Sequence, residues 1–143
     1  MMSIKNEAEI QKMAAAGQLV AYIHSRLEPL IQPGVTTREL DDLARDIMKE
    51  RGAKSSFLGY HGYPAHICTS VNDEIVHGIP GKRRLNDGDI ISVDIGVILD
   101  GFNGDSAWTY GVGTISPEAA LLMQQTEEAL YRAVAAAATG NRL

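Results

Sequence analysis

The stretch Asp89-Ile-Ile-Ser-Val-Asp-Ile-Gly-Val-Ile-Leu99, Asp100-Gly101, Phe102-Asn-Gly-Asp-Ser-Ala-Trp-Thr-Tyr110 decides how this chain folds. Two β-prone runs flank an Asp-Gly pair, the strongest short-range signal for a hairpin closed by a two-residue turn. Such a turn sets the register: Leu99 faces Phe102, Val97 faces Gly104 and Val93 faces Trp108. Side chains alternate along a strand. Ile91, Val93, Ile95, Val97 and Leu99 therefore share one face with Phe102, Trp108 and Tyr110, a surface suited to a core. Ser92, Asp94, Gly96, Asn103, Asp105, Ala107 and Thr109 take the other. There Asp94 lies opposite Ala107, and Asp105 is its diagonal neighbour.

Diagonal positions on an antiparallel pair are roughly 7–8 Å apart at the backbone, so both carboxylates can aim at a common centre. Held that close, they repel unless a proton or a cation sits between them. Asp is depleted inside strands, and an unpaired carboxylate there is costly to bury. The residues alone leave three readings open. One is a metal centre, for which a dinuclear site with ions about 3.5–4 Å apart fits the spacing. Another is an acid–base pair. The third is a pair of hydrated carboxylates at exposed strand ends. A hard anionic donor set suits Mn, Fe, Co or Zn without choosing among them.

Size and composition bound the rest. With 143 residues, 15.4 kDa and 45% apolar residues, the chain has room for one domain with a core. A net charge of −5 and a pI near 5.3 argue against a dedicated nucleic-acid surface, DNA included. Lys82-Arg83-Arg84 reads as a solvated turn. No apolar run approaches the roughly 18–20 residues that cross a bilayer. The start, Met1-Met-Ser-Ile-Lys-Asn-Glu7, has no signal-peptide hydrophobic region, so a cytoplasmic location is expected. Cys68 is the single cysteine, which excludes an internal disulfide and a Cys-rich zinc site.

Helices are expected on either side of the strands. Asn6 with Glu9 forms a capping-box pattern, and Ile10, Met13, Gly17, Val20, His24 and Leu27 mark one helical face ending near Pro29. Pro33-Gly34 is a turn. Thr36 with Glu39 opens a second helix, with stripe Leu40, Leu43, Ile47 and Met48, that stops at Gly52. A loop rich in Gly, Tyr, His and Pro follows from Leu58 to His66, then a short strand over Ile67 to Val71. Ser116 and Pro117 open a third helix that runs to about Thr139. Gly140-Asn-Arg-Leu143 reads as a helix stop and the start of something further. The hairpin leaves an open sheet edge, which calls for a partner.

From Phe57 the chain reads Phe57-Leu-Gly-Tyr60-His-Gly-Tyr63-Pro-Ala-His-Ile-Cys68-Thr-Ser-Val-Asn-Asp-Glu-Ile-Val-His77-Gly-Ile-Pro80. With Asp94-Ile-Gly96 and Gly101-Phe-Asn-Gly-Asp105, in order and in register, this resembles the type I methionine aminopeptidases along the whole chain. The resemblance implies an α+β fold of two layers, an antiparallel sheet with outer helices, forming the first half of a pita-bread fold. It implies removal of the initiator methionine from nascent proteins by two divalent ions (Co, Mn, Fe or Zn) held by two Asp, two Glu and one His. Asp94 and Asp105 match the two aspartate ligands. His77 matches the histidine that meets substrate at the scissile amide. Tyr60, Tyr63 and Cys68 match the lining of the methionine pocket, and Phe57 stands where some members have a cysteine.

The family's other ligands, one His and two Glu, and a second substrate-binding His lie in a half that these 143 residues do not match. Residues 1–143 are therefore expected to be the amino-terminal half of the domain, inactive alone. Two alternatives are one half of a split enzyme completed by a partner chain, and a non-catalytic pita-bread binding module. The intact aspartates and His-Gly-Ile-Pro motif weigh against the module. Implied partners are peptides with amino-terminal Met, nascent chains and the ribosome, with no membrane. Among the remaining residues, His24 is expected at the edge of the core. His61 and His66 are expected to shape the loop or to support the site from behind. Met13 and Met48 are expected in the core. Cys68 has no base beside it and is not expected to act as a nucleophile.

Overall fold

The computed structural model describes residues 3–142. Its elements are α1 (Glu7–Leu27), α2 (Thr37–Glu50), β1 (Lys54–Ser55), β2 (Cys68–Val71), β3 (Ile90–Leu99), β4 (Phe102–Gly111) and α3 (Pro117–Ala136). Short 3-10 turns occupy Glu28–Leu30 and Tyr60–Gly62.

The hairpin forms in the expected register, with Leu99 paired to Phe102, Val97 to Gly104 and Val93 to Trp108. Asp100 and Gly101 both take positive φ, 49° and 83°, the requirement of a two-residue turn that follows the strand twist. β3 is the central strand. β4 runs along one side of it, while β1 and β2 lie end to end along the other, against Val97–Ile98 and Ile91–Asp94 respectively, all antiparallel.

One face of this sheet is dry. Ile91, Val93, Ile95 and Val97 are fully buried beneath Ala16, Val20, Ile23 and Leu27 of α1 and Leu40, Ala44 and Met48 of α2. Each large aliphatic side chain removed from water there contributes about 1.5–3 kcal/mol. Gly104 permits this contact, because a Cβ on it would lie 2.5 Å from the Ala16 carbonyl oxygen. Both capping boxes are present, at Asn6/Glu9 and Thr36/Glu39.

The apolar face of α1 differs from the expected stripe. Ile10, Met13 and Gly17 are exposed, and the buried set starts at Ala16 and runs through Leu19, Val20, Ile23, His24 and Leu27. The reason is where the helix crosses the sheet. Ala16 sits on Gly104 and Lys12 over the Phe102 ring, next to the hairpin turn, so the preceding turns of α1 overhang the end of the strands. Met48 is core as expected; Met13 is not. Leu99, Phe102, Trp108 and Tyr110 are only half-buried, because nothing among the described residues covers the outer edge of β4.

α2 buries Leu40, Ile47 and Met48, half-buries Leu43, and ends before Gly52, whose φ is 68°. Ser116 caps α3 and Pro117 opens it, but the helix stops at Ala136 and buries none of its residues. Arg83 pairs with Glu74 at 2.9 Å and Arg84 donates to the Gly34 carbonyl, so the basic triplet is a tied-down turn. Among the described residues no helix is long and apolar enough to cross a membrane. Met1, Met2 and Leu143, on which the readings of the two ends partly fall, lie outside the described residues.

Candidate metal and substrate site

The polar face of the hairpin is the floor of the site. Asp94 pairs with Ala107 and Asp105 with Gly96, so each carboxylate looks across at a residue too small to obstruct it. The Oδ1 atom of Asp94 is buried without a hydrogen-bond partner. Burial pushes the Asp94 carboxyl above its ordinary range, the Asp105 charge adds to this, and His77 opposes it. Burial also raises Asp105. Two partly desolvated carboxylates that repel each other are the arrangement a cation relieves.

β2 supplies the next wall. Cys68 pairs with Asp94 and so shares its face. Burial pushes the Cys68 thiol up, with the neighbouring Tyr63 hydroxyl acting in the opposite direction, and a protonated, enclosed thiol is a packing group, not a nucleophile. The loop before β2 coils over the floor through Gly59 (φ 84°), His61 (φ 47°) and Gly62 (φ 82°). That coil sets Tyr60 at the rim, edge-on to His61 with ring centres 4.4 Å apart, and Tyr63 deeper, edge-on to Phe57 at 6.4 Å. Phe57 can lie over the floor because position 96 is glycine; a Cβ there would be 2.7 Å from its ring.

An open cleft of about 520 Å3 results, lined by Phe57, Tyr60, Tyr63, Cys68, His77 and Asp94. The structure thus brings together all the residues singled out in the sequence except Asp105, which is exposed on the floor beside the cleft. Gly62, Pro64 and Ile79 also line it and were not singled out, while His61, expected to shape the loop or support the site from behind, lines the cleft itself. His61 and Pro64 belong to the turn-rich loop, where only the coil itself decides which side chains face inward.

Asp41 was also missed. It is buried on α2, where its Oδ1 accepts the backbone N–H groups of His66 (2.7 Å) and Ile67 (3.0 Å), and its Oδ2 lies 3.2 Å from His66 Nδ1. This carboxylate ties the end of the cleft loop to the helix layer, which gives His66 the supporting place expected of it. The available clue was its position one helical face with Thr37, Ala44 and Met48. His24 belongs to the opposite side of the sheet. Its Nε2 lies 3.2 Å from the Ser106 carbonyl and its Nδ1 2.9 Å from the Tyr110 hydroxyl, so a neutral ring donates from Nε2 and accepts at Nδ1.

Among the described residues no group of three or more His, Cys, Asp and Glu is placed to hold a metal ion. Asp94 and Asp105 by themselves fit part of a hard-cation donor set, with one buried oxygen otherwise orphaned.

The helix-backed antiparallel sheet is shared with a class of metallopeptidase. Residues 11–143 match metallopeptidase family M24, and the chain belongs to that family. Membership implies use of divalent metal. The chain is 50% identical over 143 residues to methionine aminopeptidase 1 of Bacillus subtilis, and 51% identical over 144 residues to the methionine aminopeptidase of Clostridium acetobutylicum. Both alignments take in 100% of this chain and 58% of the relative. The methionine aminopeptidase of Thermotoga maritima superposes with a TM-score of 0.90 at 40% identity, over 93% of this chain and 54% of that one. The enzyme from Rickettsia prowazekii gives 0.90 at 38% identity, over 92% and 53%. Over the shared portion the fold is that of the pita-bread methionine aminopeptidases, and the chain spans little more than half their length.

Proposed function

We propose that this chain forms the amino-terminal half, residues 1–143, of a methionyl aminopeptidase domain that removes the initiator Met from nascent proteins. The observation that carries the reading is the buried, unpartnered Asp94 Oδ1 at the floor of a cleft, with Asp105 diagonal to it. Asp94 and Asp105 would hold two divalent ions, Co, Mn, Fe or Zn, together with ligands from beyond these residues. Such ions make water a stronger acid and polarise a peptide carbonyl.

The chain's own residues do the rest. Phe57, Tyr63 and Cys68 offer ring edges and a thiol to a flexible thioether, a contact sulfur favours. Tyr60 closes the rim. His77 faces Asp94 across the cleft, where an imidazole N–H meets the substrate amide as charge develops on it. Partners are peptides and nascent chains beginning with Met, at or near the ribosome and in the cytoplasm. A second polypeptide or further chain completes the ligand set. A non-catalytic binding module of the same fold is the alternative, favoured by the lack of a three-ligand group among the described residues.

Complementation decides between them. With Mn or Co and a separately expressed carboxyl-terminal half from a relative, the chain is expected to release methionine from a Met-Gly peptide, and Asp105→Ala to abolish that release. Alone it is expected to bind Mn weakly in titration calorimetry and to release nothing. Undiminished turnover by Asp105→Ala removes the metal assignment; a complemented complex with no turnover leaves the binding module.

A further inference from the structure

Two hydroxyls, on Tyr63 of the cleft lining and Ser70 of β2, bond to backbone. Tyr63 Oη lies 3.0 Å from the carbonyl oxygens of both Ile67 and Gly78, so its single hydrogen is shared between them. Ser70 Oγ accepts the Gly78 N–H at 3.1 Å. The Gly78 carbonyl also accepts the Thr69 N–H at 2.8 Å, and a Cβ on Gly78 would lie 2.2 Å from the Thr69 oxygen. Residue 78 is therefore pressed onto β2 and bonded to it on both sides of its peptide.

The residue before it is under strain. His77 has φ of 60°, a left-handed conformation that costs a non-glycine residue energy and persists only where the surroundings enforce it. Upstream, Glu74 is tied to Val71 and to Arg83, but Ile75 is 89% and Val76 64% exposed between it and His77. Downstream, Gly78 is the adjoining residue and is held directly on β2.

We propose that Tyr63 is a positioning residue for His77: its hydroxyl, with that of Ser70, clamps the Gly78 peptide to β2 and so fixes the backbone from which the imidazole enters the cleft. The ring of Tyr63 remains a wall for substrate, while its polar end serves the loop. Phe57 packs edge-on to the ring. Burial pushes the phenol's pKa up, which keeps it protonated and able to donate. The inference rests on the reading of His77 as the group that meets substrate.

The test is NMR of the labelled 143-residue chain. Tyr63→Phe keeps the ring and removes the hydroxyl; Ser70→Ala removes the second tether without touching the ring. Each is expected to move the His77 imidazole and Gly78 amide resonances and to speed exchange of the Thr69 amide about tenfold, as loss of one hydrogen bond implies. The Trp108 indole and the Asp100–Gly101 turn amides should stay in place. Where Tyr63→Phe does not fold, Ser70→Ala carries the measurement. Unmoved His77 and Gly78 signals overturn the clamp, whatever the activity. Moved signals without any peptidase activity in the complemented complex leave the clamp standing and remove the functional reading. In an active complex, Tyr63→Phe should lower kcat about tenfold with KM changed less than about twofold. A raised KM at unchanged kcat would mean that the hydroxyl meets substrate, and that also overturns the clamp.

Discussion

A methyl group on Gly96 would land 2.0 Å from Ser56 Oγ and 2.7 Å from the Phe57 ring, on the face that carries the aspartates. Gly96→Ala must therefore push Phe57 off the floor of the cleft. The expected cost is about 1–3 kcal/mol, the usual penalty for overfilling a packed site, read as a lower melting temperature; an unchanged melt would show that Phe57 is free to swing aside. Asp41 is the complementary case, a side chain whose removal leaves partners stranded. Asp41→Ala takes the acceptor from the His66 and Ile67 amides, at about 1–3 kcal/mol for each donor left unpaired. Asp41→Asn keeps one acceptor oxygen and should lose less in urea denaturation. Equal losses in the two variants would mean that the amides find water. That Asp94 and Asp105 share one face was legible in the sequence because turn chemistry is local; His77 and Tyr63 were singled out only through the family resemblance. Asp41 was not legible, since its partners lie 25 and 26 residues away and only the folded loop delivers them. Ser70 was hidden for a similar reason: one hydroxyl in a short strand says nothing until Gly78 is seen lying against it.

At the scale of elements, the hairpin was readable to the residue because Asp100-Gly101 permits one register and the alternation then follows. The overhang of α1 was not, because periodicity names a helical face but not where along the sheet that face begins. The contact of α1 with β4 makes its own prediction through His24. Burial lowers the pKa of this ring, with the Ser106 carbonyl opposing, so it is neutral in the fold. In the unfolded chain His titrates at about 6.5. Below that pH the unfolded state binds more protons, so this contribution is complete above the unfolded value, falls with pH, and levels off once the folded ring also protonates. The raised carboxyls of Asp94 and Asp105 act in the opposite sense, since they bind protons more readily when folded. Comparison with His24→Gln isolates the ring. The urea midpoint of the parent should fall between about pH 7.5 and 5.5 by more than that of the variant. Parallel curves would place the ring's titration outside the α1–β4 contact.

For the whole molecule, composition supports one domain with a core, and that core exists, but it is confined to one side of the sheet. α3 stands apart from it. The helix is well started by Ser116 and Pro117, yet Leu130 is 47% and Val134 63% exposed and no α3 residue is buried. On the helix side of the sheet, a second open cleft of about 440 Å3 leaves Trp108 and Tyr110 half-covered. In proteins most helical stability comes from packing of an apolar face, and apolar surface left open in this way favours association. Leu130 and Val134 lie one turn apart on the same face. Replacing both with Gln should therefore reduce self-association in sedimentation velocity while the melting temperature of the core stays where it was, since neither side chain contributes to that core. A clear fall in melting temperature would mean that α3 folds back onto the sheet in solution. The exposed stripe would then belong to this chain's own packing, and the surface left for a second polypeptide would shrink to the outer edge of β4.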